Sequence, residues 1–517
     1  MKKNKELYNQ AQVCIENYHT FLGCLKTKEH STFIEFVKAP IHGFKEDVVG
    51  LAIFLDPRVK NNKATLLEDT SLIRRFSSVR GTQSISPHLN SLVQKLKILL
   101  ELIERFIVYN QVVTDKPLRQ RALVKGLKER NSNGLFLQAA NDFRSSLNKA
   151  QLSVAVAEDK YWLEKECYFR KQANHTTDPE VFDRNIKAFE LFNQLATLRN
   201  YLAILNRNIE DAQRAKQYDL TFNAIVEQVE QQTTYPVLIK LYIAIINILK
   251  TNNELPSPFY EAFKTSFYAA EHELTRTDQF TLVKICINHL AHVYYQLDEP
   301  WLKEIFEWMK YLSEKMLYSV EEAISDGEYL NFYLVAQALD EMDVLADFEQ
   351  KYSKYLSKEV KAQVLDLCKS YSLQRQQKID EALKLLEDTF PPNAKKHLKY
   401  DIRAKELKIM LCYENVLAKK GEGKTIDDLE RNIENLKKYC KRLLRDDFLT
   451  EQTAAPHRNF HRVAAKFYLI QGKDTFDKKK VLIQKIQKLL TQKEPISNRT
   501  WIKKQLALLE EKNERES

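Results

Sequence analysis

The sequence predicts an all-α fold of stacked antiparallel helix pairs, an α-solenoid, and three observations support this prediction. The 517 residues include only 10 Gly and 13 Pro, whereas average usage would give about 36 and about 26. Apolar residues recur at steps of three and four along most of the chain, which is the period of an amphipathic helix. Sustained alternation of apolar and polar residues, bounded by turn residues, is missing from the sequence, so we expect no β-sheet.

The clearest predicted helix runs from Ser86 to Val112. Ser86 is a good N-cap and Pro87 a favourable first helical residue. One predicted face is apolar and consists of Leu89, Leu92, Val93, Leu96, Leu99, Leu100, Ile103, Phe106 and Ile107. The other face is polar and consists of Gln94, Lys95, Lys97, Glu101 and Arg105. This one-sided pattern predicts a helix that buries a single apolar stripe.

The same pattern predicts further helices along the rest of the chain. They begin at Asp178-Pro179, Ser257-Pro258, Glu299-Pro300, Ser357 and Thr425, where a capping residue or a proline starts a helix. The apolar face expected after Pro179 consists of Phe182, Ile186, Phe189, Phe192, Leu195 and Leu198. We predict about twenty helices joined by short polar turns.

The predicted helices fall into three regions. We expect an N-terminal helical region at 1–150, a helical-repeat region with an acidic middle at 151–390, and a basic C-terminal region at 391–517 that continues the repeats. Since no segment has the length or composition of a flexible tether, continuous stacking is expected.

One segment of the repeat region resembles a known family. Residues 358–391 form a predicted helix pair whose second helix contains Ile379, Ala382 and Leu386, followed by Pro391-Pro392. A small residue, a large one four positions later and a proline past the end make this segment resemble one tetratricopeptide repeat of about 34 residues. The resemblance implies a tetratricopeptide-like α-solenoid. The whole chain also resembles large helical proteins of bacteria, a likeness that implies no activity.

Several features indicate a cytoplasmic protein outside the membrane. The N-terminal residues are basic but lead into no apolar segment, so no secretory signal is expected. The most apolar run, 236–249, contains Lys240 and is shorter than the ~20 residues of a membrane-spanning helix. None of the seven cysteines forms a C-x-x-C pair. We therefore expect reduced and mostly buried thiols.

Charge is distributed unevenly along the chain. Residues 391–517 contain 30 Lys or Arg and 18 Asp or Glu, a net charge of +12. Residues 278–349 contain 4 basic and 15 acidic residues, a net charge of −11. The acidic segment is interpreted either as a groove wall for a basic peptide or as a surface that pairs with the basic region of another copy.

The basic region contains one helix, predicted over 425–446, whose two faces differ sharply. Its apolar face is formed by Leu429, Ile433, Leu436, Cys440 and Leu443. Its opposite face is basic and is formed by Lys437, Lys438, Lys441, Arg442 and Arg445. These five residues are candidates for binding a protein partner or nucleic acid. The alternative interpretation is an ordinary solvated helix surface.

Histidine and cysteine patterns predict no catalytic, cofactor or metal site. His457 and His461 have the spacing of two metal ligands, but Arg458 occupies the position where a zinc protease requires Glu. We therefore interpret these histidines as surface or capping residues. Cys286, His289 and His292 lie in an apolar predicted helix, where core packing is expected.

The leading functional hypothesis is a non-enzymatic protein-protein interaction scaffold that binds through its helical-repeat surface. The alternative is a nucleic-acid-binding protein that acts through the basic C-terminal helices. A third hypothesis is a helical-repeat regulator or toxin–defence component that senses a peptide or nucleotide, and an effector-sized pocket between helices would favour it. An enzyme would require a deep pocket with several titratable groups of shifted pKa.

Overall fold

The computed structural model contains 23 α-helices in its described part, which is 88% helical and holds no strand. This confirms the predicted all-α, solenoid-like fold. The chain forms two compact units. The structure describes residues 2–516 except 27, 40–45, 57–69, 78, 80–83, 174–177, 208–211, 232–234, 251–257, 295–299, 320–323, 391–397, 419–422, 447, 472–475 and 492–494.

Unit 1 comprises residues 1–150 and 159–185. Two of its helices, α8 and α9, extend across the unit boundary. The helices are α1 (Lys2–Cys24), α2 (Glu29–Lys38), α3 (Glu46–Phe54), α4 (Thr70–Arg75), α5 (Ile85–Thr114), α6 (Lys116–Glu129), α7 (Asn133–Lys149), α8 (Val154–Ala173) and α9 (Pro179–Arg207).

Helix α5 organises the first part of unit 1. It packs along α1 and also contacts α2, α3 and α4. Phe106 of α5 meets the ring of Phe33 at 5.3 Å, and Phe33 meets Tyr18 of α1 at 6.4 Å. All three side chains are buried. The long apolar stripe of α5 therefore provides the surface on which the shorter helices pack.

Lys95 departs from the sequence-based prediction. The helical pattern placed it on the polar face of α5, but its side chain is buried. Its ammonium group donates to the Asp47 carboxylate at 2.5 Å and to the Phe76 carbonyl oxygen at 2.7 Å. A buried charge needs such partners, and both lie far from Lys95 in sequence.

Helix α9 also departs from the prediction. Leu195 and Leu198 are buried, whereas Phe182 and Phe189 are 47% and 45% exposed. Each step of three residues falls about 60° short of a full turn at 3.6 residues per turn. The predicted apolar positions, which follow one another mostly at steps of three, therefore spread around the helix and form no single face.

Unit 2 comprises residues 151–158 and 186–517. Three short 3₁₀ turns, Glu271–Glu273, Leu317–Ser319 and Ser353–Tyr355, end helices of this unit. The helices after α9 are α10 (Ala212–Glu230), α11 (Val237–Lys250), α12 (Pro258–Ala270), α13 (Arg276–Tyr294), α14 (Pro300–Glu314), α15 (Asp326–Ala338), α16 (Met342–Tyr352), α17 (Lys361–Arg375), α18 (Ile379–Thr389), α19 (Leu398–Ala418), α20 (Gly423–Arg445), α21 (Glu451–Gln471), α22 (Phe476–Thr491) and α23 (Arg499–Glu516).

Helices of unit 2 stack in pairs. Each of α11, α13, α15, α17, α19 and α21 packs against the helix that follows it in sequence. We call these six helices the first layer. Most of them also pack against the next member of this layer, as in a helical-repeat array, in which each repeat contacts its neighbours.

Polar side chains join every successive pair of first-layer helices. Buried polar groups are stabilised by hydrogen bonds, so these contacts help to hold the layer together. The contacts are Tyr242 with Asp278 (3.1 Å), Lys284 with Glu328, Tyr333 with Ser372 (2.5 Å), Gln374 with Glu414 (3.0 Å) and Gln471 with Tyr413 (3.2 Å).

The segment that resembles a tetratricopeptide repeat forms the predicted helix pair, α17 and α18. Ala382 and Leu386 of α18 are buried, as the resemblance implies. Gln377 in the connecting turn has a φ of 61°. Helix α20 begins at Gly423. Thr425 therefore lies within its first turn, whereas the sequence predicted that Thr425 would cap the start of the helix.

The cysteines follow the prediction. All seven are free, and every one except Cys24 is buried. Cys286 and His289 of α13 are buried as expected for core residues, whereas the side chain of His292 lies outside the described residues. Burial raises the pKa of the Cys286 thiol. None of the described helices has an apolar stretch long enough to cross a lipid bilayer.

Replacing Phe348 with Ala tests the packing of unit 2. The Phe348 ring is fully buried and stacks on Phe332 at 3.7 Å, so we expect a loss of about 3–5 kcal/mol in the free energy of unfolding. Phe448→Ala is the matched control because Phe448 is 60% exposed. Chemical denaturation measures both variants. Equal losses for the two would contradict the packing described here.

Candidate interaction surface

Helix α20 has the two faces that its sequence predicts. Its apolar residues, Leu429, Ile433, Leu436, Cys440 and Leu443, are buried. The helix packs against α19 on one side and α21 on the other. Its basic residues, Lys437, Lys438, Lys441, Arg442 and Arg445, are all exposed. The structure therefore places the predicted binding residues on one solvent-facing side.

Three of these five basic side chains have local partners. Lys437 contacts the Glu434 carboxylate at 3.2 Å, and Arg445 contacts Asp446 at 2.8 Å. The guanidinium of Arg442 lies 5.0 Å from the Tyr439 ring centroid. Lys438 and Lys441 make no ion pair within 4 Å among the described residues. These two lysines are therefore the most available for an external partner.

Neighbouring helices add positive charge that the sequence analysis did not select. Arg462 and Lys466 lie on α21 and Lys485 lies on α22. Burial, and then the positive charges of Lys485 and Arg462, lower the pKa of Lys466. Burial, followed by the charge of Lys437, also lowers the pKa of His461. Like charges from three helices thus approach one another.

We define the basic surface as Lys437, Lys438 and Lys441 of α20, Arg462 and Lys466 of α21, and Lys485 of α22. Its positive charges repel one another, so the approach of an anionic group would relieve an unfavourable arrangement. Sequence alone places these residues in the basic C-terminal region but cannot show that they share a surface, because the helix packing brings them together.

His457 is not the surface or capping residue that the sequence suggested. Its Nδ1 atom lies 2.7 Å from the carboxylate of Glu406, which is fully buried in α19. Ser497 donates to the same carboxylate, as does Asn498 at 3.1 Å. The Arg403 guanidinium lies 3.9 Å away. This network joins α19, α21 and the turn before α23.

Several partners keep the Glu406 carboxylate ionised despite its burial. Burial alone would raise the pKa of this carboxyl, but His457, Arg403 and Ser497 together hold it below its ordinary value of 4.5. Such a carboxylate is stabilising only while its partners remain in place. The network therefore fixes the geometry of the helices that support the basic surface.

The same network contains serine, histidine and carboxylate, the residue types of a hydrolase triad. In such a triad, the histidine lies between the serine and the carboxylate. Here Glu406 lies in the middle and contacts both His457 and Ser497. Ser497 is also buried, at 1% exposure. The arrangement links helices and does not activate the serine.

Metal-ligating side chains are scattered over the described part of the chain. Within it, no cluster of three or more His, Cys, Asp or Glu side chains has a geometry that could hold a metal ion. His457 is bound to Glu406, and His461 lies near Lys437, Arg462 and Lys466.

The acidic segment 278–349 uses many of its carboxylates within the fold. Asp278 and Glu328 join first-layer helices, and Glu304 accepts from the Lys264 ammonium at 2.5 Å. Its exposed carboxylates without an ion pair among the described residues are Glu307, Glu341 and Asp343. Unpaired acidic groups therefore remain on α14 and around the start of α16.

Comparison with protein-family models, curated proteins and solved structures finds no match to this chain.

Replacing Glu406 with Gln tests the role of the buried network. At neutral pH we expect a loss of about 3 kcal/mol in the free energy of unfolding, since the buried carboxylate that contacts His457, Ser497 and Asn498 is lost. The folded-state pKa of Glu406 lies below 4.5. The stability that the ionised Glu406 carboxylate contributes to the fold is therefore fully present above pH 4.5. It is lost as the pH falls through the folded-state pKa.

The difference between wild type and Glu406→Gln should thus shrink in acid. Chemical denaturation between about pH 7 and about pH 3 measures it. Glu434→Gln is the control, since Glu434 forms an exposed pair with Lys437 and should leave stability nearly unchanged. A Glu406→Gln deficit that stays constant over this range would contradict the assignment.

Proposed function

We propose that this chain is a non-enzymatic protein-interaction scaffold. In this proposal, unit 2 is a tetratricopeptide-like array that displays the basic surface to an acidic segment of a polypeptide partner. The protein acts in the cytoplasm with its cysteines reduced. The scaffold contributes a fixed arrangement of charges and no chemical step.

Separation of opposite charges along unit 2 is the observation that carries the proposal. Among the described residues, the acidic segment leaves Glu307, Glu341 and Asp343 exposed without an ion pair, whereas the basic face of α20 leaves Lys438 and Lys441 without one. The polar contacts between first-layer helices fix the spacing of these groups. Charges that are fixed in position but lack internal partners favour recognition of a complementary surface.

The aromatic and acidic residues around the basic surface favour a protein partner over a nucleic acid. Proteins that bind single strands usually stack bases on exposed aromatic rings. Of the aromatic residues close to the basic surface in sequence, Tyr439, Phe460 and Phe467 are buried, whereas Tyr468 is half-buried and its hydroxyl contacts Glu430. Lys437 also has an acidic neighbour, Glu434, at 3.2 Å, which weakens the attraction for a continuous phosphate backbone.

A tagged full-length chain, recovered from native cells with and without nuclease, tests the proposal. We expect a stoichiometric protein that remains bound after nuclease at about 0.15 M salt. Lys438→Glu combined with Lys441→Glu should abolish its capture, because reversal of two unpaired charges turns attraction into repulsion. The captured protein, identified by mass spectrometry, is then purified and its binding to the same variants is measured.

Lys378→Glu combined with Lys384→Glu is the matched control. Both lysines are exposed near or on α18, and the change in net charge is the same. This control should bind the partner like the wild type. Equal losses in both double variants would show a general effect of net charge. A capture that nuclease removes entirely would contradict the scaffold proposal.

Nucleic-acid binding through the basic surface is the second candidate function. The approach of like charges from α20, α21 and α22 favours it, because phosphates would neutralise them. Fluorescence anisotropy with a labelled duplex measures affinity as salt is raised. If nucleic acid is the ligand, Lys438→Gln with Lys441→Gln should reduce the salt dependence by about two phosphate contacts. An unchanged slope would contradict this alternative.

A further inference from the structure

A cavity in unit 1 combines three arginines with an apolar wall. It lies among α7, α8 and the first turns of α9 and has a volume of about 310 Å³. Its charged lining residues are Arg144, Arg170 and Arg184. The volume is at the lower end of the range for small-molecule pockets. The cavity is therefore large enough for a small organic ligand.

The first arginine of the cavity is fully occupied by an internal partner. Nε and Nη2 of Arg144 contact the two oxygens of Glu164 at 2.6 and 3.2 Å. Glu164 is buried. The hydrogen bond to Glu164 and the charge of that carboxylate raise the pKa of Arg144, although burial opposes the rise. This bidentate pair neutralises one cation and engages both oxygens of Glu164.

The second arginine is held loosely. Arg184 lies 3.5 Å from Glu164 and 3.6 Å from Glu180, and its side chain is 43% exposed. Glu180 is 84% exposed. The pair with Glu180 is therefore solvent-exposed, and such pairs contribute little. Arg184 can therefore exchange Glu180 for a ligand at small cost.

The third arginine has no carboxylate partner among the described residues. Arg170 donates to the side-chain oxygen of Asn133, with Nε at 3.0 Å, and to the Lys128 carbonyl oxygen at 3.4 Å. Its guanidinium lies 4.4 Å from the centroid of the Phe136 ring. These neutral partners orient the cation and leave its charge unbalanced.

Apolar residues form the remaining wall. Phe136, Ala140 and Val181 are buried, whereas Leu137 is 52% exposed. A ligand with an apolar part would cover Leu137 and gain from its burial. Polar and apolar side chains from α7, α8 and α9 thus line the same cavity.

We propose that this cavity binds a small ligand in which a carboxylate adjoins an apolar group, with the carboxylate paired to Arg170 and Arg184. The planar guanidinium group matches the two oxygens of a carboxylate. The apolar part of the ligand lies against Phe136 and Leu137. Either a free organic acid or the C-terminal residue of a peptide has this chemistry.

Binding of small probes to the full-length chain tests the proposal. Benzoate and N-acetyl-leucine represent the two sources of the carboxylate, and benzamide and N-acetyl-leucine amide are their uncharged counterparts. Saturation-transfer NMR and calorimetry measure binding. At least one acid should bind at least about tenfold more tightly than its amide, the difference expected for a hydrogen-bonded charge. The tighter acid identifies the source.

Asn133→Asp is the sharpest variant because it changes charge and preserves shape. The new carboxylate would occupy Arg170, and an acidic residue is favourable at the start of a helix such as α7. We expect the variant to fold normally and to bind the acid at least about tenfold more weakly. Asn148→Asp is the control, since Asn148 is exposed on the same helix and does not line the cavity; it should bind like the wild type.

Arg170→Met provides a second, independent loss of the cation. This variant should weaken binding of the acid by a similar factor, while binding of the amide stays unchanged. If Arg170→Met does not fold, the result for Asn133→Asp alone tests the proposed carboxylate site. Three results would each overturn the proposal: equal binding of acid and amide, wild-type affinity in Asn133→Asp, or no saturation-transfer signal at about 10 mM probe, the range of very weak ligands.

Discussion

Unit 2 depends on the burial of alternate helices between their neighbours. The first-layer helices are covered by their partners in the pairs and by one another, so polar groups within the layer lose water and need protein partners. Tyr242 with Asp278 and Gln374 with Glu414 meet this requirement. Toward the C-terminus the fully buried Glu406 meets it with His457, Ser497 and Asn498. Apolar packing drives the stack, and these contacts fix how successive helices are placed.

The charged residues on the surface of unit 2 keep positions that the stack of helices sets. Among the described residues, Lys438 and Lys441 of α20 make no ion pair, and neither do Glu307 of α14 and Asp343 of α16. Fixed, unbalanced charge favours selective association. Unit 1 offers a different site, in which Arg170 is oriented by Asn133. The chain thus combines a broad charged surface in one unit with a small cavity in the other.

The sequence predicted the helices well because apolar periodicity and proline positions are local properties. The predicted starts at Pro179, Pro258 and Pro300 agree with the structure, and the buried face of α20 was assigned correctly. Lys95 and His457 were misplaced because their partners, Asp47 and Glu406, lie about 50 residues away in the chain. The cavity of unit 1 was missed for the same reason, since its arginines come from three helices and only packing brings them together.

Carbodiimide cross-linking shows whether the basic surface touches the partner, because this reagent joins a lysine amine to a carboxylate in contact with it. It is applied to the nuclease-treated complex of the full-length chain with its captured partner. We expect cross-links from Lys438 and Lys441 to acidic residues of that partner, and none from Lys378 or Lys384. Cross-links that avoid α20, α21 and α22 altogether would contradict the assignment of the basic surface as the binding site.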